Sequence, residues 1–176
     1  VLHQGALDLL VDAGARALSD ERVSIPAGLV EWALSRAPSC VTLCPRGGDR
    51  AAVALGGERV SFGPGSDCPN YLDPRSGERR RFTKSDLVAC IRLVDALPEL
   101  DFCMSMGIPR DLNGESPYRV QFALMLEHTT KPLVFVCDDR ADCEAIVEMA
   151  AEAAGGLSNL RLNPSILLYS EPSTPL

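Results

Sequence analysis

Histidine is nearly missing from this chain: His3 and His128 are the only two in 176 residues. The nearest cysteine pair, Cys40 and Cys44, also lacks a second pair at zinc-ligand spacing, so the sequence offers no metal centre. Positive charge is short too. Lys and Arg number 17 against 24 Asp and Glu, a net charge of −7, so the basic footprint that nucleic acid or an anionic membrane needs is absent. The one basic cluster, Arg75 with Arg79, Arg80 and Arg81, reads as a solvated turn ahead of a helix. No apolar run approaches the roughly 18 to 20 residues that span a bilayer, and no charged segment followed by an apolar stretch opens the chain. A cytoplasmic protein is expected. Seven cysteines, an odd number with several inside apolar runs, fit reduced thiols better than a disulfide framework. The Gly-rich "FGPGSD" is neither G-x-G-x-x-G nor a P-loop. A tight turn held by Gly63, Pro64 and Gly65 is therefore preferred there over a phosphate cradle.

The composition that remains, 46% hydrophobic and 23% charged, is that of a globular protein with a real core. Residues 1–57 read as a helical preface with short β pieces. Leu7, Leu10 and Val11 recur at helical spacing up to a stop at Gly14; Leu29, Val30, Ala33 and Leu34 mark a second helix that Pro38 ends. "VTLCPR" and "AAVALGG" read as short strands. Over residues 58–176 a rhythm sets in of apolar strand, polar loop and amphipathic helix. The strands are "RVSFGPG", "LDFCMSMGIP", "KPLVFVCDD" and "PSILLYSEP"; the helices between them are "TKSDLVACIRLVDALPEL", "SPYRVQFALMLEHTT" and "RADCEAIVEMAAEAAGG". Thr83 with Asp86 three residues later is a capping-box variant, and Gly155-Gly156 closes the third helix.

Near-continuous apolar strands alternating with helices imply an α/β fold with a parallel sheet covered by helices. Polar or adaptable residues gather where each strand ends: Ser66 and Asp67, then Met104, Ser105 and Met106, then Asp138 and Asp139, then Ser170 and Glu171. Strand carboxyl ends are where (β/α)8 barrels keep their active sites, and about four units amount to a partial TIM-type barrel, half of one. The chain opens at Val1 and stops at "YSEPSTPL" without a closing helix, so both ends read as cut. Four carboxylates, Asp67, Asp138, Asp139 and Glu171, would make the mouth negative and suited to a cation, with Tyr71 and Tyr169 as aromatic faces. Met104 and Met106 would line a pocket for a soft, methylated ligand or simply fill the interior. Cys137 falls where the third strand meets its loop and reads as a small buried hydrophobe. Lys131 precedes its strand, at the end of a barrel that is usually not catalytic, which disfavours an aldolase or isomerase.

Five stretches extend this reading: "FGPGSDCPNYLDPRSGERRRFTKSDL", "RLVDALPELDFCMSMGIPRD", "HTTKPLVFVCDD", "IVEMAAEAAGG" and "NPSILLYSEPSTPL". Together, in order, and with "VSIP" and "RAP" in the preface, they resemble the trimethylamine methyltransferase family. That family holds pyrrolysine enzymes and relatives without pyrrolysine that act on quaternary amines such as glycine betaine. The resemblance implies a (β/α)8 barrel that moves a methyl group from a tertiary or quaternary methylamine to the Co(I) corrinoid (cobamide) of a partner protein. It implies a corrinoid protein and a small methylated amine as partners, no nucleic acid, no membrane, and a homo-oligomer when full length. The substrate-binding candidates are then Asp67, Tyr71, Met104, Met106, Asp138 and Glu171. Full members are longer, their pyrrolysine position falls outside these residues, and no catalytic residue is carried over; the fragment alone is expected to be inactive. The competing reading is a non-catalytic half-barrel homologue that binds a partner or self-assembles through its open edges.

Overall fold

The computed structural model describes residues 1–170 apart from 2, 20 and 21. They fall into two compact units, Val1–Ser39 together with Ser170, and Cys40–Tyr169. In the first, helix α1 (Gln4–Asp12) stops at Gly14, whose φ of +103° only glycine adopts easily. Strands β1 (Arg16–Ser19) and β2 (Arg22–Ser24) then form an antiparallel hairpin with a register shift between Ala17 and Ser19. Helix α2 (Ala27–Arg36) ends just before Pro38, as its spacing predicts. The hairpin has no counterpart in the sequence reading, because its strands are short and exposed and carry no apolar alternation.

The second unit opens with an antiparallel hairpin of β3 (Val41–Leu43) and β4 (Val53–Leu55), where Leu43 and Val53 are buried. Another hairpin follows, β5 (Asn70–Leu72) with β6 (Arg79–Arg81), and it leads into α3 (Lys84–Ala96). The capping box forms in full. The Thr83 hydroxyl accepts the Asp86 backbone N–H, and the Asp86 carboxylate accepts that of Thr83. Helix α4 (Pro117–His128) has Ser116 as its cap and Pro117 in its first turn. Next come β7 (Leu133–Phe135), α5 (Arg140–Ala153) capped by Asp139, α6 (Leu157–Leu162) and β8 (Ile166–Leu168). Gly155 and Gly156, both at positive φ, close α5.

Strands β7 and β8 are parallel, with Leu133, Val134 and Phe135 opposite Ile166, Leu167 and Leu168. Two further extended stretches continue this order without becoming regular strands. Asp101 N–H donates to the Phe62 carbonyl at 2.7 Å, Cys103 N–H to Pro132 at 2.9 Å, and Val134 N–H to Cys103 at 2.9 Å. Thus "RVSFGPG" and "LDFCMSMGIP" lie where strands are expected but pair only in places. The reasons are local: Pro64 and Pro109 have no N–H to donate, and Gly63 backs so closely on the Phe102 ring that a Cβ there would come within 2.3 Å of it. The described residues therefore form a mixed helix-and-strand fold of short sheets with no closed barrel.

The core fills from one side of this series. Helix α3 packs on α4, α4 on α5 and α5 on α6. Leu87 and Ile91 of α3, Phe122 and Met125 of α4 and Ile146 of α5 meet the β7 side chains, and Phe122 stands edge-on to Phe135 at 5.5 Å. Each large apolar side chain buried this way contributes about 1.5–3 kcal/mol. At the amino-terminal ends of the strands, the Lys131 ammonium donates to the carbonyls of Val94 and Leu97, both at 2.6 Å, closing α3. Lys131 is a capping group here. No helix among the described residues is long and apolar enough to cross a membrane.

Candidate functional site

The loops at the carboxyl ends of the first two extended stretches carry unusual backbone. Asp67 at φ +62° and Met106 at φ +60° are the two described non-glycine residues in the left-handed region. Such conformations cost about 1–3 kcal/mol and persist only where neighbours enforce them. The enforcing bonds are visible: Met106 N–H donates to the Gly65 carbonyl, Cys68 N–H to Met106 and Ile108 N–H to Cys68, each at 3.0 Å. The loops lock each other. Gly107 completes the clamp, because a Cβ there would lie 2.3 Å from the Phe82 ring, and its carbonyl accepts the buried Gln121 amide at 2.7 Å.

Asp67 gains an environment from this lock. Its Oδ1 is buried with no hydrogen-bond partner among the described residues, and burial pushes its carboxyl above the usual carboxylate range, an effect the neighbouring Ser66 hydroxyl partly offsets. Tyr118, in the first turn of α4, faces the same place. Burial raises its phenol, and the charges of Asp67 and Asp138 raise it further. Tyr118 thus feels the charges of Asp67, Asp138 and Asp142 together with the opposing charge of Arg110, which already places a cation in that neighbourhood.

The other sequence-predicted residues scatter around it. Met104 is buried but stands outside the main core cluster, whereas half-buried Met106 packs against that cluster. Tyr71 belongs to the β5–β6 hairpin: its ring meets Phe82 edge-on at 5.3 Å, and the Arg80 guanidinium stacks over it at 4.9 Å. That face is therefore occupied by an arginine of the same chain. Arg80 also grips Asp86 through both terminal nitrogens, at 2.6 and 2.9 Å; the basic cluster is partly a hairpin latch rather than a wholly solvated turn. A cleft of about 330 Å³ lined by Cys68–Leu72 and Arg79 flanks the Asp67 loop. Asp139 is committed to capping α5 through the Asp142 N–H at 2.8 Å. Tyr169 donates its N–H to the Phe135 carbonyl at 2.8 Å. Glu171 lies outside the described residues.

Two contributors escape the sequence reading. Tyr118 follows "SP", a helix-start signal that directs attention to capping and away from the ring beside it. Asp142 is buried and ties α4 to α5 by accepting the Arg119 Nε–H at 2.6 Å and the Ser116 hydroxyl at 2.9 Å. Its position three residues after the Asp139 cap is the signal that could have found it. No group of three or more His, Cys, Asp or Glu side chains among the described residues is arranged to hold a metal ion.

These features can be set beside known proteins. The family described as trimethylamine methyltransferase (MTTB) matches residues 1–176. The trimethylamine methyltransferase MttB of Desulfitobacterium hafniense is 29% identical over 174 residues, which is 98% of this chain and 35% of that protein. The chain thus spans about a third of the length of the curated relative it matches, so its likeness concerns one portion of such a protein. A match that runs unbroken from Val1 to Leu176, through the preface and the Asp67 and Met106 loops alike, makes this chain a member of the trimethylamine methyltransferase family.

Proposed function

We propose that the chain supplies the first half of a (β/α)8 barrel, residues 58–176, behind a preface of residues 1–57. The barrel takes a methyl group from a tertiary or quaternary methylamine, of the trimethylamine or glycine betaine type, and delivers it to a corrinoid protein. Support for the half barrel comes from the four extended stretches, which bond side by side in chain order with helices between them. The observation that carries the site is the Asp67 carboxylate, held on a left-handed loop at the strand ends with one oxygen buried and unpartnered.

The partner's corrinoid supplies the nucleophilic cobalt when bound. What these residues contribute is positioning and charge. Methyl transfer leaves the C–N bonding electrons on nitrogen, so the nitrogen must be positive until it departs. Asp67 and Asp138 would hold that positive centre against one wall, where a desolvated carboxylate interacts more strongly than one in water. Met104 and Met106 would offer shape-tolerant contact behind it.

The test uses the protein in its full natural length with a corrinoid partner, following loss of Co(I) absorbance on addition of trimethylamine or glycine betaine. Transfer from one of them is expected. Asp67→Asn should lower the rate at least about tenfold, with the fold unchanged because asparagine tolerates φ near +60°. Substrate affinity should fall with pH as Asp67 protonates, at a pH above the ordinary carboxylate range because its carboxyl is raised. A folded protein that demethylates neither amine would favour the non-catalytic, self-assembling half barrel. Full activity in Asp67→Asn would remove the carboxylate mouth alone.

A further inference from the structure

A polar pocket opens at the end of the strand series opposite Asp67. Its volume of about 440 Å³ falls within the range of small-ligand sites, and Arg46, Asp49, Asn159, Asn163 and Ser165 line it. Ser165 stands just before β8, and Arg46 follows β3 and donates its N–H to the Thr130 carbonyl at 2.8 Å, ahead of β7. The Arg46 side chain is held as well. Nη2 donates to the carbonyls of Leu126 at 2.5 Å and Thr129 at 3.0 Å, which caps the end of α4. Those bonds use Nη2 alone. Among the described residues Nε is buried with no partner, Nη1 has none either, and no carboxylate forms an ion pair with this guanidinium. Charges taken out of water are ordinarily paired, and the carbonyl end of a helix offers only partial negative charge. Ser165 and Asn163 are also uncommitted. The Ser165 carbonyl accepts the Leu133 N–H and the Asn163 N–H goes to Asn159, both at 2.9 Å, while their side chains have no hydrogen bond among the described residues.

We propose that this pocket binds a small oxyanion, a phosphate or carboxylate group, as the missing counter-ion of Arg46. The chemistry follows from the donors. Nη1 offers N–H groups backed by a full positive charge, and the Ser165 hydroxyl and Asn163 amide add neutral donors, a set that suits a charged oxygen acceptor. The site is preorganised, because the α4 carbonyls fix the guanidinium and the Thr130 carbonyl fixes the Arg46 backbone. Gly47 at φ +76° and the Gly48 N–H, donated to the Pro45 carbonyl at 2.9 Å, hold the turn beside it. Asp49 opposes binding from the same wall. Its carboxylate is exposed to water and repels weakly, whereas the half-buried guanidinium acts through a lower dielectric. A bound anion would bridge the β3–β4 turn to the segment before β8. The proposal does not depend on methyl transfer.

The test is equilibrium dialysis of the protein in its full natural length against radiolabelled inorganic phosphate or acetate, with ionic strength held constant by chloride. Saturable binding of one equivalent of at least one anion is expected. Uptake of phosphate alone assigns a phosphoryl group, and of acetate alone a carboxylate. Arg46→Gln would also remove the α4 cap, so the variants leave Arg46 in place. Asp49→Asn takes away the opposing charge and should tighten binding about twofold or more, whereas Asn163→Asp sets a carboxylate in the wall and should weaken it at least about fivefold. Far-UV circular dichroism should be unchanged in both. The proposal is overturned if neither anion binds, or if both variants bind as the parent does, which would put the anion elsewhere on the surface.

Discussion

Helices α1 and α2, of 9 and 10 residues, bury no residue, whereas α3, of 13, buries Asp86, Leu87, Ile91 and Val94. All three carry apolar residues at helical spacing, so periodicity alone does not separate them. The difference lies in what each faces. Helix α3 packs on α4 within the layer that covers the parallel stretches, while among the described residues of the unit Val1–Ser39 only Ala15 is a buried apolar residue. Isolated helices shorter than about 12–15 residues are marginal in water. The two units should therefore differ sharply in how much a lost side chain matters.

The largest effect is expected at Phe122, a fully buried residue of α4 that packs edge-on against Phe135. Phe122→Ala should cost about 3–5 kcal/mol, because it removes a large apolar surface and leaves a cavity that close-packed neighbours fill only in part. Denaturant unfolding followed by far-UV circular dichroism would measure this. Trp32, the only tryptophan, reports separately on the first unit by fluorescence. A loss below about 1 kcal/mol would mean that the second unit has no tight core, and the contrast would collapse.

Next is Asp86, which closes the α3 capping box and receives Arg80 through two contacts. Asp86→Asn should cost about 1–2 kcal/mol at neutral pH. The Arg80 guanidinium and the Thr83 donors hold the carboxyl down at about 2 in the folded protein. Its folded value is thus below the ordinary one near 3.8. The stabilisation is complete above about pH 4 and is lost as pH falls toward 2. Unfolding curves of the parent and Asp86→Asn proteins should converge across that window; parallel curves would show that the Arg80 latch carries no pH-dependent energy.

Much of this architecture is legible in the sequence, and where it is not, the cause is physical. Helices α3, α4 and α5 are marked by Thr83, Ser116 with Pro117, and Asp139, residues whose side chains act on their own helix starts. Strands β7 and β8 announce themselves as short apolar runs. The β5–β6 hairpin hides because its strands are "NYL" and "RRR", and the force holding it is a tertiary latch from Arg80 to Asp73, Asp86 and Tyr71. No local pattern encodes that. At the candidate site, Asp67 is readable as a polar group after a strand. Its left-handed backbone depends on the loop of Met106, about forty residues away in the neighbouring stretch. Tyr71 misled for the same reason, since nothing near it in sequence shows that Arg80 and Phe82 take both its face and its edge.

The smallest effect is expected in the first unit, and it sharpens the comparison most. Leu34 lies on α2 with 70% of its surface exposed. Leu34→Ala should change stability by no more than about 0.5 kcal/mol, since it removes little buried surface and alanine is the better helix former. Following Trp32 fluorescence in the same unfolding series tests this directly, because the probe sits two residues away on the same helix. A loss of 2 kcal/mol or more would show that the apolar face of α2 is covered in solution. The contrast between the units would then be one of what each packs against, and no longer one of whether each packs at all.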